Sequence, residues 1–492
     1  MTAGPMEASI AGLPRDRVQL LDNLGWIRRN VGPVTPELSD ALADHMNIRR
    51  GEVAEVVSFY SYLRLPVDVV RVCTGPVCDC LGGRELLAAN PGAVEVPCLG
   101  HCDLAPVLLR GDEVVPAVTH AANHGPSIDL LGPDELREPP AMEPERIVGE
   151  LEASGLVGYG GAGFPTARKW ATVRSFPGPR MVIVNADEGE PGTIKDRYVM
   201  ELRPNLLAEG IAIAMRFAEA EEGYVYLREE YATARERLRE ALAVRGLPVA
   251  IVTGAGSYVC GEESAMLESM EGRRGMPRLR PPFPAEVGFL GRPTLINNVE
   301  TLAHIPSILR GGGASWPRVR LWSVSGAVAK PGCYEAPVDV TARQLIDDYA
   351  GGATEEIGAI VPGGAASGVI PPDGLDAPLT RDGLAAWGAG PGSAGLQVFP
   401  ASYPVLRLLQ ETMRFFAEES CQKCTPCRIG TRALEHVLHE LEHDRPAMPG
   451  WQLEEWLVAM EKGSICGLGQ GAPVPLRGAM RHWPELFDTL AT

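Results

Sequence analysis

Apolar and polar positions alternate at helical spacing through the first sixty residues. ELSDALADHM (37–46) shows the pattern, and Thr35 followed by Pro36 supplies an N-cap and a first-turn proline, so 15–62 reads as helices. The period then shortens. VDVVRVCT (67–74) is short and β-branched, AVEVPCL (93–99) resembles it, and GGRELLAAN (82–90) reads as a helix between them. This predicts a small α/β unit with cysteines at its strand ends. GPDELREPPAMEP (132–144) interrupts the pattern with four prolines and several charges, the composition of an exposed linker and a domain boundary.

After the linker, PERIVGELEASGL reads as a helix, MVIVNAD as a buried strand, NLLAEGIAIAMRFAEA as a helix, and ATARERLREALAVRG as an exposed helix ending at Gly246. That alternation predicts a largely parallel sheet. From about 316 to 400 the helical period fades into short apolar runs such as RLWSVSGAV and LQVFPA, a small β-rich module. The last ninety residues are helical: Leu434, Val437, Leu438 and Leu441 form one stripe, and Leu476, Met480, Trp483, Phe487 and Leu490 another. With 492 residues, several cores are expected.

Composition narrows the function. With 45 Lys+Arg against 63 Asp+Glu, the net charge of −18 opposes the basic patch of a nucleic-acid binder. No apolar run approaches the roughly 20 residues needed to span a bilayer, and MTAGPMEASIAG lacks the basic start and apolar middle of a secretion signal. A cytoplasmic protein is expected. Eleven cysteines in such a chain point to metal or redox chemistry rather than disulfides.

Eight of the cysteines cluster. ESCQKCTPCRIG places Cys421, Cys424 and Cys427 within seven residues, and Cys466 in SICGLGQGAP supplies a remote fourth sulfur. Four thiolates suit zinc or an iron–sulfur cluster, and three close cysteines plus one remote favour [4Fe-4S]. Cys73 and Cys78 in CTGPVC, with Cys98 and Cys102 in CLGHC, resemble a [2Fe-2S] centre, with zinc or no metal as the alternatives. Cys80, Cys260 and Cys333 read as ordinary thiols.

GYGGAG (158–163) fits G-x-G-x-x-G, but a helix precedes it where the dinucleotide fingerprint requires a strand. NADEGEPGTIKDR follows a strand at its carboxyl end, and TGAGSYVCGEESA follows another. Glycine-bearing loops at strand ends predict a phosphate-carrying ligand, with Asn185, Asp187 and Glu188 available for its polar edges.

GYGGAGFPTARKW, NADEGEPGTIKDR, GSYVCGEESA, RPPFPAEVG, INNVETLAHIP and ESCQKCTPCRIGT, in this order, resemble the NADH-binding flavoprotein subunit of respiratory complex I and its relatives in NAD-reducing hydrogenases and formate dehydrogenases. Residues 15–125 resemble the thioredoxin-like [2Fe-2S] subunit that usually accompanies it as a separate chain, so this chain looks like a fusion. The resemblance implies an α/β multi-domain protein: a helical N-terminus plus thioredoxin-like [2Fe-2S] domain (1–130), a linker (131–144), a Rossmann-like FMN and NADH domain (145–315), a ubiquitin-like β-grasp insert (316–400) and a helical bundle with [4Fe-4S] (401–492).

It further implies that Gly158, Gly160, Lys169, Asn185, Asp187, Asn297, Asn298 and Thr301 hold FMN, while Phe164, Glu190, Glu262, Glu263 and Phe283 face NAD(H). Cys421, Cys424, Cys427 and Cys466 would ligate [4Fe-4S]; Cys73, Cys78, Cys98 and Cys102 would ligate [2Fe-2S]. Tyr159 stands where relatives usually have Arg, Arg280 replaces a usual Lys, Thr172 replaces a frequent aromatic, and the gap between Cys78 and Cys98 is short. The expected activity is reversible hydride transfer between NAD(H) and FMN with one-electron exchange to the clusters, and no general base is assigned. The substrate site would lie on another chain of a hetero-oligomer: the molybdenum or tungsten chain of a soluble formate dehydrogenase first, a hydrogenase next and complex I third. The competing expectation is a non-enzymatic electron relay with a disabled nucleotide site.

Overall fold

The structure is a computed structural model describing residues 10–117, 132–443, 445 and 449–490. Three amphipathic helices lead it: α1 (Leu20–Asn30), α2 (Pro36–Met46) and α3 (Arg50–Phe59). Thr35 caps α2 as expected, its hydroxyl accepting from the N–H of Leu38 at 3.4 Å. The small α/β unit follows. Strand β1 (Val70–Cys73) lies between β2 (Val94–Val96), parallel to it, and β3 (Val107–Arg110), antiparallel to it; β4 (Glu113–Pro116) completes the sheet as a hairpin with β3.

The proline-rich segment is tied down rather than loose. α4 (Pro144–Ser154) and α5 (Thr166–Ser175) come after it, then β5 (Met181–Ala186), α6 (Lys195–Leu202), α7 (Pro204–Ala218), β6 (Gly223–Leu227) and α8 (Ala232–Val244). Asp134 accepts from the first N–H groups of α7, Asn205 at 2.9 Å and Leu206 at 3.2 Å, where a carboxylate meets unpaired donors and the positive end of the helix dipole. Arg245, just beyond α8, donates to the carbonyl of Arg137 at 2.9 Å.

Strands β7 (Val249–Thr253) and β8 (Thr294–Asn298) join β5 and β6 in an all-parallel sheet of order β7-β6-β5-β8, with α9 (Glu263–Met270) and α10 (Val299–Gly311) after the respective strands. Period-two alternation divides β5 between two cores. Val182 and Val184 pack with α4, α5, α7, α8 and α10, whereas Met181 and Ile183 pack with Leu20, Leu24, Leu42 and Val53 of the leading helices. Helices α1–α3 therefore roof the second face of the parallel sheet, and their core contains none of the buried residues of β1–β4. Sequence order had grouped them with the first sheet; an apolar parallel sheet needs cover on both faces, and their stripes supply it.

The β-rich module forms a further sheet from β9 (Val319–Gly326), β10 (Gly332–Pro337), β11 (Ile357–Val361) and β12 (Gly395–Pro400), in order β10-β9-β12-β11, with β9 and β12 parallel and the outer pairs antiparallel. Helices α11 (Val405–Glu419), α12 (Thr425–Glu442), α13 (Gly450–Gly463) and α14 (Pro473–His482) end the chain. Their core, with Leu408, Phe416, Leu434, Leu457 and Leu476, is continuous with Cys73, Val77, Val96, Leu99 and Val107 of the first sheet. The first sheet and the last helices thus share one apolar interior.

Candidate functional site

The cysteines of the last helices come together. α11 ends at Glu419, Cys421 follows, Cys424 caps α12, Cys427 lies in its first turn, and Cys466 leaves α13. All four line one cavity with Val259, Pro277, Lys423, Ile465 and Leu468. Burial pushes the Cys427 thiol up to about 12 and Cys466 to about 11, so bound positive charge is what would hold them as thiolates. Four thiolates lining one cavity suit zinc or an iron–sulfur cluster.

The second set is arranged as two pairs. Cys73 ends β1, Cys78 lies in the short helix Pro76–Cys80, and Cys98 and Cys102 follow β2. Cys78 is hydrogen-bonded to Cys73, and Cys98 to Cys102. The two pairs lie close enough for Cys73, Cys98 and Cys102 all to act on Cys78, a four-thiol set that suits two tetrahedral irons. The hydrogen bond from Cys102 leads in pulling Cys98 down to about 7, with help from Arg228. Cys80 is half-buried, and burial pushes it up to about 12; Cys260 and Cys333 are buried.

The glycine loop 158–163 leaves a helix, as expected, and closes on itself: Gly158 donates to the carbonyl of Phe164 at 2.8 Å, and Gly163 to Gly158 at 3.2 Å. Gly161 and Gly163 sit at φ +108° and +64°, a region open to glycine. Tyr159 gives the loop its backbone only. Its N–H donates to Thr301 Oγ1 at 2.9 Å, while its ring turns into the core, where the hydroxyl donates to the carbonyl of Val319 at 3.2 Å under the Arg320 guanidinium.

Facing this loop, Asn185 and Asn298 stand in register on β5 and β8. Asn185 Nδ2 donates to the carbonyl of Gly261 at 2.8 Å, and Asn298 Nδ2 to Asp196 Oδ2 at 2.6 Å. Asn297 Oδ1 accepts from the Trp170 indole at 3.0 Å, and Lys169 pairs with Glu263 and donates to the carbonyl of Ile296 at 3.0 Å. Asp187 is the unfinished member: its buried Oδ2 has no partner, and burial pushes the carboxyl up to about 8. A protonated, unpaired carboxyl among backbone amides and glycines suits the polar edge of a flavin.

At the mouth, the rings of Phe164 and Phe283 are 43% and 54% exposed, free to stack on an incoming ring. Glu190 accepts from the Tyr258 hydroxyl and, at 3.0 Å, from the N–H of Ala366. Glu262 caps α9 through Ser264 and Ala265 and pairs with Arg280. Thr172 is exposed on α5 and donates to the carbonyl of Arg168.

Sequence reasoning missed a buried layer beneath the pocket. Lys195, fully buried, contacts Asp196 at 2.7 Å and Glu300 at 3.2 Å. Burial alone would raise Glu300, yet Lys195, His304 and Arg320 together outweigh it and hold that carboxylate at about 2. Asp196 in turn anchors Asn298. Charged residues at the end of a buried strand were the available signal.

Comparisons with known proteins now bear on these residues. Residues 6–124 match the family model of a thioredoxin-like [2Fe-2S] ferredoxin, 151–307 that of the Nuo51 FMN-binding domain, and 407–490 that of the NADH-ubiquinone oxidoreductase-F iron-sulfur binding region. The F 2 subunit of NADH-quinone oxidoreductase from Rhizobium meliloti (strain 1021) is 42% identical over 70% of this chain and 88% of its own length. The chain belongs to the family of NADH-quinone oxidoreductase F subunits. The F subunit from Mycobacterium bovis (strain ATCC BAA-935 / AF2122/97) is 39% identical over 72% of this chain and 87% of its own. A chain of an NAD+-reducing [NiFe]-hydrogenase crystal structure in the H2-reduced state superposes with a TM-score of 0.87 at 29% identity, covering 97% of this chain and 93% of that one. As a member of the F-subunit family, the protein is an NAD-linked FMN and iron–sulfur oxidoreductase component. It is a mixed α/β multi-domain chain with a thioredoxin-like [2Fe-2S] domain and a helical C-terminus. Among the described residues, no helix is long and apolar enough to cross a membrane.

Proposed function

We propose that this chain is the diaphorase subunit of a soluble, cytoplasmic hetero-oligomer, exchanging electrons between NAD(H) and a partner chain that holds the substrate site. One side chain carries the reading: Tyr258 donates its hydroxyl to Glu190 at the nucleotide mouth, while its N–H donates to Glu419 at 2.8 Å, two residues before Cys421. The dinucleotide site and the four-cysteine cavity are thus separated by a single residue. FMN and the clusters, when bound, supply the conversion between a two-electron hydride and single electrons.

The chain supplies binding and orientation. Gly158 and Gly160 would let the loop backbone approach the flavin closely, with Lys169, Asn185, Asp187, Asn297, Asn298 and Thr301 completing its pocket. Phe164 and Phe283 stack on the dinucleotide, and Glu190, Glu262 and Glu263 meet its polar groups. Arg280, which replaces the usual lysine, pairs with Glu262. Cys421, Cys424, Cys427 and Cys466 take [4Fe-4S], and Cys73, Cys78, Cys98 and Cys102 take [2Fe-2S]. The β9–β12 sheet would be the β-grasp insert, within the boundaries expected from sequence.

The fused N-terminal unit first pointed to a formate-oxidising molybdenum or tungsten partner. The likeness to a hydrogenase chain over 97% of this one supports a hydrogen-oxidising partner as the second reading. Anaerobic purification with iron, sulfide, zinc and flavin assays, then NADH addition, tests the diaphorase reading. It expects about six irons and one FMN per chain, with NADH-dependent ferricyanide reduction. Zinc in place of iron, or no ferricyanide activity, overturns it in favour of a relay or scaffold. NAD+ reduction by the intact complex with formate or with H2 separates the partners.

A further inference from the structure

Arg228 lies just past β6, 7% exposed, between two cofactor loops. Its Nη2 donates to the carbonyl of Cys98 at 3.1 Å, its Nη1 to the carbonyl of Glu188, and its Nε and Nη2 hold Glu230 at 3.0 and 2.8 Å. Glu188 belongs to the loop that opens with Asn185 and Asp187 at the flavin pocket and closes with Gly192, whose N–H donates to the Cys102 thiol. Tyr231 repeats the bridge: its hydroxyl lies 3.0 Å from Glu188 Oε2 and 3.4 Å from the carbonyl of Gly100.

Packing alone would be served by neutral donors. A buried guanidinium is costly to desolvate; Glu230 pairs with it through Nε and Nη2, and the same Nη2 also reaches the carbonyl of Cys98. The cation instead stands against the backbone of a two-iron ligand. There it favours the reduced centre, which carries one more electron than the oxidised one. We propose that Arg228 is a positioning residue that fixes the [2Fe-2S] loop against the flavin loop and raises the potential of the two-iron centre. This inference rests on the cofactor assignment proposed above. Its consequence is a two-iron centre kept within reach of electrons from a flavin pocket whose Glu188 loop is held by Nη1 of the same guanidinium.

The test is an EPR-monitored redox titration of the intact complex, comparing wild type with R228Q/E230Q, R228K and E230Q. The double variant removes both charges without leaving a buried carboxylate unpaired. At the wild-type midpoint, its ratio of reduced to oxidised [2Fe-2S] falls at least tenfold, a midpoint more negative by about 59 mV for one electron. The [4Fe-4S] signal and flavin content do not change. R228K keeps the charge and loses the planar fork, so its ratio stays within about twofold of wild type. A wild-type potential in the double variant overturns the proposal, as does an R228K shift equal to that of the double variant, since packing would then be the cause. Should the double variant fail to assemble the centre, E230Q decides: leaving the cation unneutralised must raise the ratio, and no rise overturns the proposal. Absence of any [2Fe-2S] signal from wild type overturns the cofactor assignment itself, and this inference with it.

Discussion

The two cysteine sites of this protein are built on opposite plans. The four-cysteine cavity is local: three of its sulfurs sit at the junction of α11 and α12, and Cys424 remains half-exposed. The two-pair site is assembled from a distance. Arg228 reaches it from the parallel sheet, and Arg414 of α11 donates to the carbonyl and hydroxyl of Thr74 at 3.1 and 2.9 Å, beside Cys73. One site is specified by spacing along the chain, the other by surrounding elements that hold two short loops in place.

The largest test of that contrast is ligand removal. Cys427→Ser should lower iron by about four per chain and Cys98→Ser by about two, each sparing the other centre's EPR signal and the flavin. If either variant empties both sites, the shared core couples them and the contrast fails. Next in size, Arg414→Ala removes the guanidinium that pairs with Glu95 and Glu411 and holds Thr74. Leaving those acids without that partner should cost about 3 kcal/mol in denaturant unfolding, with [2Fe-2S] lost before [4Fe-4S].

Glycines beside each site sharpen the comparison further. Gly100 has φ +71°, and a Cβ there would lie 2.6 Å from the Tyr231 hydroxyl; at Gly467, next to Cys466, a Cβ meets nothing within 4 Å. Gly100→Ala should destabilise by about 1–3 kcal/mol, and Gly467→Ala by about 0.5 kcal/mol or less, in the same unfolding assay. The pH dependence of stability tests the flavin pocket in the same way. Burial raises Asp187 to about 8 and Glu419 to about 7, so the flavin-free fold binds protons that the unfolded chain releases. Stability from these groups is complete near pH 4, falls as pH rises toward 8, and is flat above. Asp187→Asn should flatten the thermal midpoint's pH profile across that window.

Sequence revealed what is local. Cys421, Cys424 and Cys427 announce a metal by spacing alone, and MVIVNAD with its acidic loop announces a strand end carrying a ligand. Thr35 before Pro36 announces a helix start, because capping depends on neighbours in the chain. What stayed hidden depends on through-space partners. Nothing in YLREEY says that Arg228 will meet Cys98, and nothing in the leading helices says that they will cover β5 rather than β1. Tyr159 is a further case: as a letter it only stands where relatives usually have Arg, yet its ring leaves the loop for the core.

The common interior of the first sheet and the last helices also sets when the first sheet can finish folding. Val107 and Leu408 belong to one core, so the sheet leaves the ribosome with an apolar face whose cover is completed only by the final helices. The nascent chain must keep that face soluble in the interval, and the iron of the two-pair site can be sealed in only once translation is nearly over.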